Sequence, residues 1–124
     1  MGFLTGKITP ATTFHPSDLR ARFPRFTSEA IGANRPIIDL LADVARQKGA
    51  TPAQIALAWL LVRKPWIVPI PGATKLEHLE ANMGALDVAL SPEDAQRLET
   101  AFSKLTVHGA RAPDDIAQMS DDMS

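Results

Sequence analysis

The sequence predicts an α/β chain, mostly helical, with one strand of the parallel-sheet type at Trp66–Ile70. Three observations point there. Apolar residues recur at helical spacing over much of the chain after Thr27. Two Ser/Thr-Pro pairs, Thr51-Pro52 and Ser91-Pro92, carry helix-start chemistry. The run Trp66–Ile70 is apolar without alternation, which suits a strand covered on both faces.

Taken in order, residues 1–26 carry no period and are punctuated by Gly2, Gly6, Pro10, Pro16 and Pro24. They read as a loop-rich segment. From Thr27 the pattern turns helical, and Ile37, Ile38, Leu41, Val44 and Ala45 form one apolar stripe that Gly49 ends. Pro36 either kinks this helix or begins its regular part, with Thr27–Arg35 as a separate turn. Thr51-Pro52-Ala53-Gln54 is a capping box, and the helix behind it is apolar on nearly every face as far as Arg63. Such a helix is expected between other elements. After the strand, Thr74-Lys75-Leu76-Glu77 reads as a second capping box, opening a helix to about Ala85. Ser91-Pro92-Glu93-Asp94 opens the last, with Ala95, Leu98, Phe102 and Leu105 at helical spacing. Residues 27–110 thus hold the helices and the strand of a single partial domain. Residues 111–124, with four aspartates after Arg111, are expected to form a solvated, partly disordered tail.

Composition excludes several functions. A net charge of −1 supplies no basic field for nucleic acid or a membrane surface. The chain has no cysteine, hence no disulfide, thiolate metal site or thiol nucleophile. His15 and His108 stand alone in loops and suggest no metal site. Trp59 and Trp66 read as core, Glu93, Asp94 and Glu99 as a solvated helix face, and Arg20, Arg22 and Arg25 as a solvated loop. The apolar run Ala53–Val62 is too short to span a bilayer, and no signal-peptide pattern opens the chain, so a cytoplasmic location is expected.

The segment PGATK, between strand and helix, admits two readings. It is a plain capped connection, with Thr74 as N-cap and Glu77 as its reciprocal partner, or a phosphate cradle at the positive end of a helix. The lone strand raises a second question, because its backbone groups need partners that this chain does not supply.

The stretches GFLTGK, GATPAQIALAWLL, PWIVPIPGATKLEHLEAN and LSPED together resemble the C-terminal part of an aldo-keto reductase. The resemblance covers almost the whole chain, in order and spacing. It implies a C-terminal fragment of a (β/α)8 TIM barrel, with GFLTGK after the seventh strand and WIVPI as the eighth. It implies a carbonyl-reducing enzyme using NADPH, with PGATK as the loop that meets the adenosine phosphate. By the same resemblance the cofactor-binding residues are Lys7, Gly72, Thr74, Lys75, His78 and Asn82. Gly72 and Thr74 meet the phosphate, Lys75 pairs with it, Asn82 hydrogen-bonds the adenine, and Lys7 lies near the pyrophosphate. His78 stands where relatives often have Arg or Gln, and Ala81 where a Glu usually helps hold the adenine, so NADPH binding is expected to be weak or lost.

The family's Asp, Tyr, Lys and His catalytic set lies upstream of everything matched here, and the chain contains no tyrosine. No catalytic residue is therefore assigned, and the chain alone is expected to be inactive. A truncated or separately encoded piece is expected, completed by the N-terminal barrel half or by self-association into a homo-oligomer. The competing reading is a small helical module with no enzymatic role that binds itself or a partner.

Overall fold

A computed structural model describes residues 1–121, which fold as six α-helices joined by loops and short 3-10 turns. The helices are α1 (Ser28–Ala33), α2 (Arg35–Lys48), α3 (Pro52–Arg63), α4 (Leu76–Met83), α5 (Pro92–Phe102) and α6 (Asp114–Asp121). Before α1 the chain makes 3-10 turns at Phe3–Thr5, Leu19–Arg22 and Pro24–Phe26.

Pro36 resolves in favour of two helices. Thr27 caps α1, its hydroxyl accepting from the Ala30 N–H at 3.2 Å, and Asn34 then serves as C-cap of α1 and N-cap of α2. Pro36 falls in the first turn of α2, where a missing N–H breaks no helical bond. Gly49 ends α2 in the left-handed conformation, φ 63°. Both Ser/Thr-Pro starts are true capping boxes. The Thr51 hydroxyl accepts from the Gln54 N–H and the Gln54 side chain accepts from the Thr51 N–H. Ser91 and Asp94 reproduce the arrangement at α5.

The core forms where the apolar stripes of α2, α3 and α5 meet. Leu41 and Ala45, Ile55 and Ala58, and Leu90 with Leu98 are all buried together. The Trp59 ring packs edge-on to Phe102 at 6.2 Å between centroids. α3 is the central element, as its all-round apolar sequence demands, touching α2, α4, α5 and the turns on either side.

Several expectations are corrected. Trp66–Ile70 is not a strand: among the described residues no β-ladder forms at all. A strand exists only by pairing, and no other segment here offers an edge. Trp66, expected in the core, is 73% exposed, with Val68 at 79% and Ile70 at 92%, because no described element covers them. The Thr74–Glu77 capping box does not form: α4 begins at Leu76, its N-cap is Lys75, and no side chain caps it. α4 also stops at Met83 and passes into a 3-10 turn, Gly84–Asp87. Asp94 and Glu99 are not simply solvated, since Asp94 pairs with Lys48 across α2 and α5 and Glu99 pairs with Arg63 of α3. Arg20 is likewise held, by a bidentate pair with Asp18 and by the face of Phe14 at 4.8 Å. That contact pushes the Asp18 carboxyl down to about 2, chiefly through the Arg20 hydrogen bond.

Beyond α5 the chain is latched rather than loose. Asn34, a buried polar residue, donates from Nδ2 to the His108 carbonyl at 2.9 Å and accepts the His108 N–H at 2.8 Å. Arg25 Nε donates to the Gly109 carbonyl at 3.0 Å. Gly109 has φ +83°, and a Cβ there would lie 2.8 Å from the Pro24 carbonyl oxygen, so only glycine fits. α6 occupies part of the segment expected to be an unstructured tail, and its Asp115 pairs with Arg22 at 2.8 Å. Residues 122–124, the rest of that expected tail, lie outside the described residues.

Candidate functional site: the loop and helix after Ile70

The candidate residues divide into a surface group and a groove group. Pro71 through Ala81 are all exposed, and the loop from Pro71 runs into the uncapped start of α4. With no side chain closing its first turn, α4 presents N–H groups and a positive dipole end to whatever approaches. Thr74 stands just before this start with its hydroxyl uncommitted to the cap. Gly72 is not needed for backbone geometry, as its φ is not among the positive ones and nothing lies within 4 Å of a Cβ built there. Its value is space, room for a group to approach the backbone.

The charges around the loop are only partly free. Glu77 Oε1 lies 3.9 Å from Lys75 Nζ and 3.6 Å from His78 Nε2. All three side chains are about half exposed or more, so these contacts are weak and easily exchanged for a stronger anion. A phosphate dianion would compete with Glu77 for Lys75.

The groove lies behind the loop. It is an apolar trench of about 1000 Å3 that includes Leu57 and Leu60 of α3, Phe3 and Leu4 of the first turn, and Pro71, Gly72 and Asn82. Gly72 and Asn82 therefore share one concavity, whereas Thr74, Lys75 and His78 lie outside it on the surface. Lys7 is exposed and follows the turn whose residues Met1–Thr5 line the trench, but is not itself part of the lining. The structure thus gathers Gly72, Thr74, Lys75, His78 and Asn82 on one loop-helix unit and leaves Lys7 at a distance along the chain. Sequence reasoning missed Gln54, whose Nε2 donates to the Ala81 carbonyl at 2.9 Å and ties α4 to α3. Its capping role hid this second bond, which no local pattern signals.

The loop and helix bring together an open helix start, a hydroxyl, the Lys75 ammonium and a glycine with free space around it, a donor set that suits a phosphate. They include no acid-base pair aimed into the groove.

The chain belongs to the aldo/keto reductase family, whose sequence pattern matches residues 1–102. That membership implies the family's barrel, of which the described residues show helices and no strand. Among its relatives, the aldo-keto reductase yakc [NADP(+)] of Schizosaccharomyces pombe is 37% identical over 112 residues, covering 90% of this chain and 33% of that protein. The probable aldo-keto reductase 1 of Glycine max is 40% identical over 110 residues, covering 89% and 32%. The aldo-keto reductase str7 of Strobilurus tenacellus is 30% identical over 110 residues, covering 89% and 33%. The chain spans about a third of the length of these curated relatives. Among the described residues no helix is long and apolar enough to cross a membrane.

Proposed function

We propose that this chain is the adenosine-phosphate-binding portion of an NADP(H)-dependent aldo-keto reductase, and that it does not reduce carbonyls by itself. The observation that carries the reading is the uncapped start of α4 at Leu76, shortly after Gly72, with Thr74 and Lys75 just before it. Family membership and a relative named for NADP(+) give that anion site its ligand. Bound NADP(H) would supply the hydride. Thr74, Lys75 and the α4 amides would hold its 2′-phosphate, and Asn82 at the groove rim would meet the adenine. The chain has no tyrosine and so lacks the acid that the family resemblance implies for protonating the carbonyl oxygen.

The test is titration of the purified chain with 2′-phospho-AMP, followed by amide chemical shifts of residues 72–82. Saturable shifts with a dissociation constant no tighter than about 0.1 mM are expected, at most ~5.5 kcal/mol of binding. They vanish in the Thr74→Ala, Lys75→Ala double variant. No shift at millimolar ligand, or shifts that survive the double variant, would refute the assignment. Steady NADPH oxidation with 4-nitrobenzaldehyde would refute the absence of turnover.

Association belongs to the same proposal. Val68 and Ile70 are exposed, as are Leu76, Leu79 and Leu86 nearby in sequence, and large apolar side chains left open in this way suit an association surface. This surface takes the remaining barrel strands or, without them, a second copy. Light scattering on a sizing column at low micromolar concentration reads the outcome, and a clean 13.4 kDa species would count against it.

A further inference from the structure

We infer that Gln54 is a positioning residue for the nucleotide site: its side-chain amide sets where α4, and with it Asn82 and the phosphate loop, sits against α3. The inference rests on the cofactor reading above and deepens it.

Little else holds α4. It is eight residues long, a length that is marginal for a helix in water. It has no side-chain cap and no buried residue, and Leu76, Leu79 and Met83 all face outward in large part. Its anchors lie at its C-terminal end. Ala85 of the following turn is buried, and the Ala81 carbonyl accepts from Gln54 Nε2. That bond is the side-chain hydrogen bond between α3 and α4 among the described residues. The other end of the same amide is committed as well, since Oε1 accepts the Thr51 N–H at 2.9 Å within the capping box. Gln54 is therefore fixed at its acceptor by the capping box of α3 and offers its donor to α4, whose own start is uncapped.

Gly84 confirms how closely the two helices approach here. A Cβ on Gly84 would lie 2.5 Å from Gln54 Nε2, so the absence of a side chain is what admits the amide. Asn82 lies between the two contact points, one residue after Ala81 and two before Gly84. A shift of α4 relative to α3 therefore moves Asn82 along the groove rim.

The two functions of the side chain are separable by substitution. Gln54→Glu keeps the acceptor for the Thr51 N–H and adds a favourable charge at a helix start, so α3 stays capped. It removes the donor and sets a carboxylate oxygen against the Ala81 carbonyl, so α4 must move. Thr51→Ala does the reverse, weakening the cap while leaving the Gln54–Ala81 bond. Hydrogen exchange of the α4 amides and the 2′-phospho-AMP titration are measured on both variants of the full chain. Gln54→Glu is expected to speed α4 exchange about tenfold and weaken nucleotide binding by a similar factor, with α3 exchange unchanged. Thr51→Ala is expected to lower the melting temperature without that selective loss. Gly84→Ala should mimic Gln54→Glu, and adding it to Gln54→Ala should change α4 exchange no further. Unchanged α4 exchange in Gln54→Glu overturns the inference whatever the nucleotide does. Faster α4 exchange with undiminished nucleotide affinity also overturns it. Absence of nucleotide binding by the parent chain, with α4 loosened, sinks the cofactor reading and leaves Gln54 as the tie between helices.

Discussion

Replacing Asn34 by alanine should destabilise the fold more than any comparable loss of two surface hydrogen bonds. Asn34 is 3% exposed and its amide closes a reciprocal pair with the His108 backbone, at 2.9 and 2.8 Å. Each such bond contributes about 1 kcal/mol net, and each polar group left buried without a partner adds a penalty of about 1–3 kcal/mol. His108 lies at the surface, so water regains part of its backbone once the amide is gone, which places the loss near the lower end, about 2 kcal/mol. Against a typical total of about 5–15 kcal/mol this is a large fraction. A chain of this length should lose on the order of 10 °C in melting temperature. By contrast Arg35→Ala breaks an exposed pair with Asp39 and should change stability by less than about 1 kcal/mol. Urea unfolding followed by circular dichroism measures both variants. A loss below about 0.5 kcal/mol for Asn34→Ala, or equality with Arg35→Ala, would show that the latch between α2 and the segment after α5 carries no weight.

Two further outcomes follow from caps and charges. Thr51→Ala should cost about 1 kcal/mol because a formed capping box is lost, whereas Thr74→Ala should stay within about 0.5 kcal/mol because Thr74 caps nothing. Thermal melts of the two variants side by side decide it, and equal losses would mean that α4 is capped after all. Stability should also fall in acid. The Asp18 carboxyl is lowered from 3.8 to about 2 by Arg20, and Asp94 is lowered chiefly by its hydrogen bond with Lys48. A depressed folded-state value means stabilisation present above pH 3.8 and lost as the pH drops toward about 2. Urea midpoints between pH 5 and pH 2 should decline, and less so in Asp94→Asn, which keeps a cap acceptor but not the charge; an identical decline would exclude Asp94 as a contributor.

That a loop leads into a helix after Gly72 was legible in the sequence, because such a transition is recognisable from a few neighbouring residues. What Thr74 does there was misread: the pattern Thr-x-x-Glu satisfies a capping box, but Lys75 rather than Thr74 occupies the N-cap position and the hydroxyl stays free. Gln54 and Asn34 were illegible for a different reason. Their deciding partners, Ala81 and His108, lie 27 and 74 residues away, and hydrogen bonds at that separation leave no period or spacing to read.

The same division runs through the fold. The capping boxes at Thr51 and Ser91, the stop at Gly49 and the stripes of α2 and α5 depend on residues three or four apart, so sequence alone determined them. Whether Trp66–Ile70 becomes a strand was never in its own sequence, because a strand is a relation between two segments and β-branched residues supply only the propensity. Among the described residues no second segment pairs with it, and the run stays outside any sheet. Tertiary structure likewise decided that the segment after α5 is held down, through one buried amide and one glycine whose neighbours are far away in the chain.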